Sequence, residues 1–197
     1  MTTTRATPIA LLLLAFAGVT PGFGQTPGED EGQIARAVLA APESMRAGAT
    51  VLGYGGEARD GDPLTVLREG ANGIVCLADD PERDGFHVAC YHESMDPFMA
   101  LGRRLRARGE DRDAVQRART EAIEAGEMEP PSAALWSLTA PADVDPAVGP
   151  GDEARRLTVV YVPYAEAEEL GLPPRPDGDS PWLMLPGTPW AHIMISR

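Results

Sequence analysis

The chain contains no lysine: all 17 of its basic residues are arginine. Mechanisms that form a Schiff base on lysine, or that grip a nucleotide phosphate with a P-loop lysine, are therefore excluded. Also missing are the G-x-S-x-G elbow, the H-E-x-x-H helix, the G-x-G-x-x-G turn and the Walker loop. The glycines of GYGG at 53–56 have neither the spacing nor the lysine of a phosphate cradle. With two cysteines and three histidines, thiol, metal and imidazole chemistry has few places to reside. No apolar run reaches the roughly 20 residues that cross a bilayer. Positive charge is in deficit as well. Thirty acids against 17 arginines leave a net charge of −13, which repels nucleic acid and anionic lipid.

What the N-terminus does contain is the tripartite pattern of a secretory signal. Arg5 supplies the positive start, Ile9 to Val19 the apolar stretch, and Gly22 and Gly24 the small residues before a cut near Gln25. No cysteine follows to accept a lipid. The expectation is a signal peptide over 1–24 and one secreted or periplasmic domain over 25–197, with no membrane contact once the signal is removed.

Along the mature chain, DEGQIARAVLAA (30–41) has acids ahead of Ile34, Val38 and Leu39 at helical spacing, and Pro42 closes it. Four short β-like runs follow: 49–54, 64–69, 73–78 and 86–91. Close connections such as RDGDP and GANG predict an antiparallel meander. The period then becomes helical over 95–109, with Phe98, Leu101 and Leu105 inward, and again over 111–125, with Val115, Ala118 and Ala122 inward. Seven of the 17 arginines lie between Arg103 and Arg119. They read either as an anion-binding patch or as a solvated face. Interleaved acids and an Asp113–Arg117 pair at i,i+4 favour the solvated face. Twelve of the 19 prolines lie from Pro130 onward, so strands there (134–140, 157–163, 190–196) must be short.

The stretch NGIVCLADDPERDGFHVACYH (72–92) holds both cysteines and two of the histidines. Folded about its turn-rich centre, it sets Cys76 opposite Cys90, within disulfide reach. A one-residue slip would send the thiols to opposite faces. A bridge is the favoured reading in an exported chain; reduced core thiols and thiol chemistry are the alternatives. Cys76, Cys90, His92 and His192 together would suit zinc, yet no CxxC or CxxH knuckle is present, so no metal or cofactor is expected. Asp80, Glu82, Asp84 and Gly85 open like a calcium loop, but its twelfth position is Tyr91 where a bidentate glutamate is needed. Trp136, Trp182 and Trp190 could line a groove or cap the core; the core is preferred.

The runs ATVLGYGG, GANGIVCLADD and FHVACYH, together with TVVYVP, resemble an uncharacterised family of exported bacterial proteins with an N-G-[FI]-V-C-L strand motif. That resemblance implies export, one domain and paired cysteines, and it carries over no catalytic residue. The expected fold is α+β: an antiparallel meander extended by C-terminal strands, with two or three helices on one face. The expected function is a non-catalytic module binding a small molecule or protein. The alternative is a secreted hydrolase using Cys76, Cys90, His92 and His192.

Overall fold

The computed structural model describes Met1 and residues 27–56, 60–141 and 144–196. The signal segment expected over 1–24 lies outside these residues apart from Met1. Among them no helix is long and apolar enough to cross a membrane.

Helix α1 (Pro27–Ala37) has Glu29 and Asp30 in its first turn and Arg36 in its last, each favourable to the helix dipole. It tightens into a 3₁₀ turn over Val38–Ala40, and after Pro42 a single turn, α2 (Glu43–Arg46), leads into the sheet. The strands are β1 (Thr50–Gly53), β2 (Thr65–Arg68), β3 (Ile74–Leu77), β4 (Phe86–His92), β5 (Ala134–Ala140), β6 (Arg155–Tyr161), β7 (Trp182–Met184) and β8 (His192–Ser196). They form one sheet in the order β2-β1-β3-β4-β5-β6-β8-β7. The α+β class holds, and the sheet is mostly antiparallel.

Two parts of the expected architecture are corrected. The first is the meander. β3 passes β2 and pairs in parallel with β1, Val51 facing Cys76. Parallel neighbours normally need a long crossover. Here the link hops across the end of β1 because Gly70 lies directly on the backbone of Gly48 to Thr50, where any Cβ would overlap main-chain atoms. Gly48 O accepts from Ala71 N and Asn72 N, and Asn72 Nδ2 donates to Met45 O at 2.7 Å, pinning the crossing. The second is the placement of helices on one face. β1, β3 and β4 turn apolar residues both ways, so both faces must be covered. Val51, Ile74, Cys76, Val88, Cys90 and Leu138 pack with the end of α1 and its 3₁₀ turn. Val75, Tyr91, Leu135 and Val159 pack on the other side with Met95, which precedes α3 (Asp96–Ala107), and with Met99 inside it. Next to α3, helix α4 (Arg112–Glu124) adds Ile123 to a third cluster with Phe98 and Trp190.

Strand β7, which is not among the expected strands, forms the outer edge beside β8, Leu183 facing Ile193. The β3–β4 register is the expected one, Cys76 opposite Cys90 and Val75 opposite Tyr91. The cysteines are bridged, with Cα atoms 4.0 Å apart.

Candidate functional site

The sequence candidates do not converge. Cys76 and Cys90 are consumed by their bridge and sit in the α1-side core. His92 is exposed; its Nδ1 meets Ser94 Oγ at 2.9 Å and accepts from Ser94 N, capping a short 3₁₀ turn. His192 pairs with Tyr161, whose side chain packs on the α3–α4 side, so it faces away from the disulfide. Its ring nitrogen Nδ1 bonds Trp190 O at 2.9 Å and the ring lies 5.0 Å from that of Tyr161, a hydrogen-bonded core histidine. Burial lowers its pKa, and the Trp190 carbonyl opposes that. Trp190, also buried, caps the third cluster. Asp80 holds its own turn through Glu82 N, and no group of three or more His, Cys, Asp or Glu able to hold a metal occurs among the described residues.

The arginine-rich helices give a different picture from a solvated face. Asp111 caps α4 by accepting from Ala114 N at 2.8 Å, while Pro97 lies in the first turn of α3 and Gly109, at φ 85°, follows its last turn. Arg103 on α3 and Arg119 on α4 are both only 8% exposed. Arg119 occupies the middle of a core-facing stripe, four residues from buried Val115 and four from buried Ile123. The Asp113–Arg117 pair expected on the outer face does not form; both ion pairs between described residues belong to Arg103.

Arg103 is fully met. It grips Asp62 through Nε and Nη2 at 3.0 and 2.8 Å, reaches Asp96 at 3.3 Å, and donates from Nη1 to Tyr91 Oη at 2.7 Å. Tyr91 in turn donates to Asp96 at 2.7 Å. Burial pulls the Arg103 pKa down, yet Asp62, Tyr91 and Asp96 together raise it. Burial raises the Tyr91 phenol. This network ties β4, α3 and the loop before β2 together.

Arg119 is met by far less. Its Nε donates to Phe98 O at 3.0 Å and its guanidinium rests 3.9 Å above the Phe98 ring, which is flanked by Tyr161 and Trp190. No described carboxylate lies within ion-pair distance. Burial, then the neighbouring Arg106, press its pKa down to about 10. Arg106 is likewise lowered, by desolvation and by Arg103. The two guanidinia crowd the same point over Gly102, Arg106 Nη2 standing 3.2 Å from where a Cβ would project and Arg119 Nη2 closer still. Glycine inside a helix costs about 1 kcal/mol relative to alanine; here it makes room for two cations.

Above this floor is a pocket of about 380 Å³, lined by Arg106, Glu110, Arg112, Gln116, Arg119 and Trp190. The Trp190 indole is held upright by its Nε1 donating to Thr120 Oγ1 at 3.2 Å. A planar guanidinium with free donors, at the base of a cationic recess, suits bidentate binding of a carboxylate, sulfate or phosphate. A larger cleft of about 780 Å³ lies between α1 and the β3–β4 turn, where Gln33 clamps the Tyr54 backbone at 2.8 and 3.0 Å. Its described lining sets Glu29, Asp79, Asp80 and Asp84 against Arg36 and Arg83, so its charge is negative on balance and it lacks a buried, unneutralised cation.

No protein-family model matches the chain, and neither does any curated protein or solved structure.

Proposed function

We propose that the chain is an exported, non-catalytic module that binds a small anionic ligand in the pocket over Arg119. The observation that carries this reading is a buried guanidinium that no carboxylate among the described residues neutralises, opening into a recess rimmed by Arg106 and Arg112. An unpaired buried charge is costly, by several kcal/mol in most settings. In a chain with 30 acids, an internal partner was readily available, as Arg103 demonstrates. A ligand anion supplies the missing charge. Phe98 and its carbonyl hold the cation in the meantime, a ring contact of this kind contributing about 1–2 kcal/mol. The pocket offers hydrogen-bond donors, an indole and one carboxylate, Glu110, and no nucleophile–base pair, which favours binding over turnover. Export to the periplasm or the medium is supported by the N-terminal signal pattern and by the Cys76–Cys90 bridge, since such bridges persist in oxidising compartments.

Calorimetric titration of the oxidised protein with inorganic phosphate and with benzoate tests the binding half. Saturable binding of either, abolished in Arg119→Met and weakened about ten-fold in Arg106→Gln, is the expected result. No saturable binding of either anion up to about 10 mM would sink it. For the export half, the mature protein recovered from the producing cell should begin near Gln25. A cytoplasmic product retaining residues 1–24 overturns that half.

A further inference from the structure

The pocket over Arg119 adjoins a second depression along α4, and the two carry opposite charge. On one flank of α4, Arg106, Arg112 and Arg119 stand against Glu110. On the other, a wider groove of about 730 Å³ between α4 and the loop carrying Leu185 to Trp190 sets Asp113, Glu121 and Glu124 against Arg117. Gln116 and Trp190 line both, so the two meet at that edge. The groove wall there is apolar and polar in turn, Leu185 and Pro189 alternating with Thr188 and Thr120. Two exposed acids with no ion-pair partner among the described residues, Glu121 and Glu124, face outward beside that cationic recess.

From this placement we infer that the ligand is a short peptide whose free carboxy terminus enters the Arg119 pocket and whose upstream basic residue lies against Glu121 and Glu124. The inference rests on the anion-binding reading of that pocket. Charge complementarity of this dipolar kind selects a partner more than it adds raw affinity. A single amino acid cannot occupy both depressions, since recesses of about 300–1,000 Å³ each take a whole small ligand. Crossing a helix about 10–12 Å across takes three or four residues of extended chain. Gln116, half-buried at the shared edge, has both a donor and an acceptor to offer a peptide group crossing there. The indole of Trp190, fixed by Thr120, gives the penultimate side chain an aromatic wall.

Fluorescence polarisation on the oxidised full-length mature protein compares three labelled tetrapeptides. One has a lysine at its second position and a free carboxy terminus, one is the same peptide amidated, and one has glutamate in place of lysine. The free-acid lysine peptide should bind about ten-fold more tightly than either of the others. Arg119→Met should abolish its binding; should that variant fold poorly, Arg106→Gln at the rim should weaken it about ten-fold. The double change Glu121→Gln/Glu124→Gln should narrow the gap between lysine and glutamate peptides to less than about three-fold. If phosphate or benzoate binds saturably while the three peptides bind alike, the peptide inference falls and the anion pocket stands. If no anion binds at all, both fall.

Discussion

On the α1 side of the sheet, Val51, Ile74, Cys76, Val88, Cys90 and Leu138 meet chiefly apolar partners and one covalent bridge. On the α3–α4 side, two guanidinium groups reach the same depth as the apolar side chains around them. Those two arginines then differ from each other. Arg103 finds two carboxylates and a phenol, whereas Arg119 finds a carbonyl and an aromatic face. Equal burial with unequal compensation separates a charge that serves the fold from one that no described carboxylate neutralises. The comparison gives opposite expectations for removing each.

Arg103→Met should be the most damaging change. It strands Asp62 and Asp96 beside a buried phenol, and breaking such a pair from one side costs about 3–5 kcal/mol. Urea unfolding monitored by circular dichroism measures it. A loss below about 1 kcal/mol would mean the network is no stronger than a surface pair. Next in size is the staple of the opposite face. Cys76 and Cys90 are 14 residues apart in sequence, and freeing a loop of about that length costs about 3 kcal/mol in the chain-entropy model. Denaturant midpoints of the oxidised protein and of Cys76→Ser/Cys90→Ser should differ accordingly, while anion binding on the far face should persist in the folded variant.

How far these features could be read from the residues differs between the same two faces. The hairpin register could be read from the symmetric placement of the two cysteines about a turn-rich centre, a one-residue slip being enough to send the thiols to opposite faces. The two late strands β5 and β6 were legible as short β-branched and aromatic runs; β7 was not, because three residues between prolines give no alternation to see. The parallel β1–β3 pairing was hidden in one glycine. Gly70 looked like ordinary loop composition, and its meaning is a backbone-on-backbone contact that no periodicity encodes. The arginine pocket was half visible. A cation at the centre of the Val115–Arg119–Ile123 stripe breaks the amphipathic pattern, and Gly102 interrupts an otherwise good helix. Composition drew the eye to alternating charges between 103 and 119, which describes the exposed flank and misses the buried one. Which carboxylate reaches which arginine depends on Asp62, 41 residues away, and that is a tertiary fact.

Arg119→Met should reverse the Arg103 result. The variant loses a carbonyl hydrogen bond of about 1 kcal/mol and a ring contact of about 1–2 kcal/mol, and is relieved of an unneutralised buried charge and of repulsion from Arg106. The net change in unfolding free energy should stay within about 1 kcal/mol of zero, or be stabilising, because apolar replacement of poorly paired buried charge is often neutral or better. A loss as large as that of Arg103→Met would show that Arg119 is a structural clamp and would remove the main support for the ligand pocket. Phosphate titration of the same sample decides whether stability and binding separate.

The smallest effect concerns protons, and it too belongs to the α3–α4 side. His87 and His192 lie on strands whose registers turn both rings to that face. Burial lowers both pKa values; Arg83 and Arg106 push His87 down further, and the Trp190 carbonyl pulls His192 part of the way back. The unfolded chain titrates its histidines near 6.5. As pH falls below that value, the unfolded state takes up protons that the folded state refuses, so unfolding free energy declines between about pH 6.5 and the lowered folded values. Above 6.5 both states are neutral at these positions and the full stability is present. Urea unfolding at pH 7.0 and pH 5.5 should show a drop that shrinks in His192→Gln, whose amide can still donate to Trp190 O. A drop of equal size in the His87→Gln/His192→Gln double variant would assign the pH dependence to other groups.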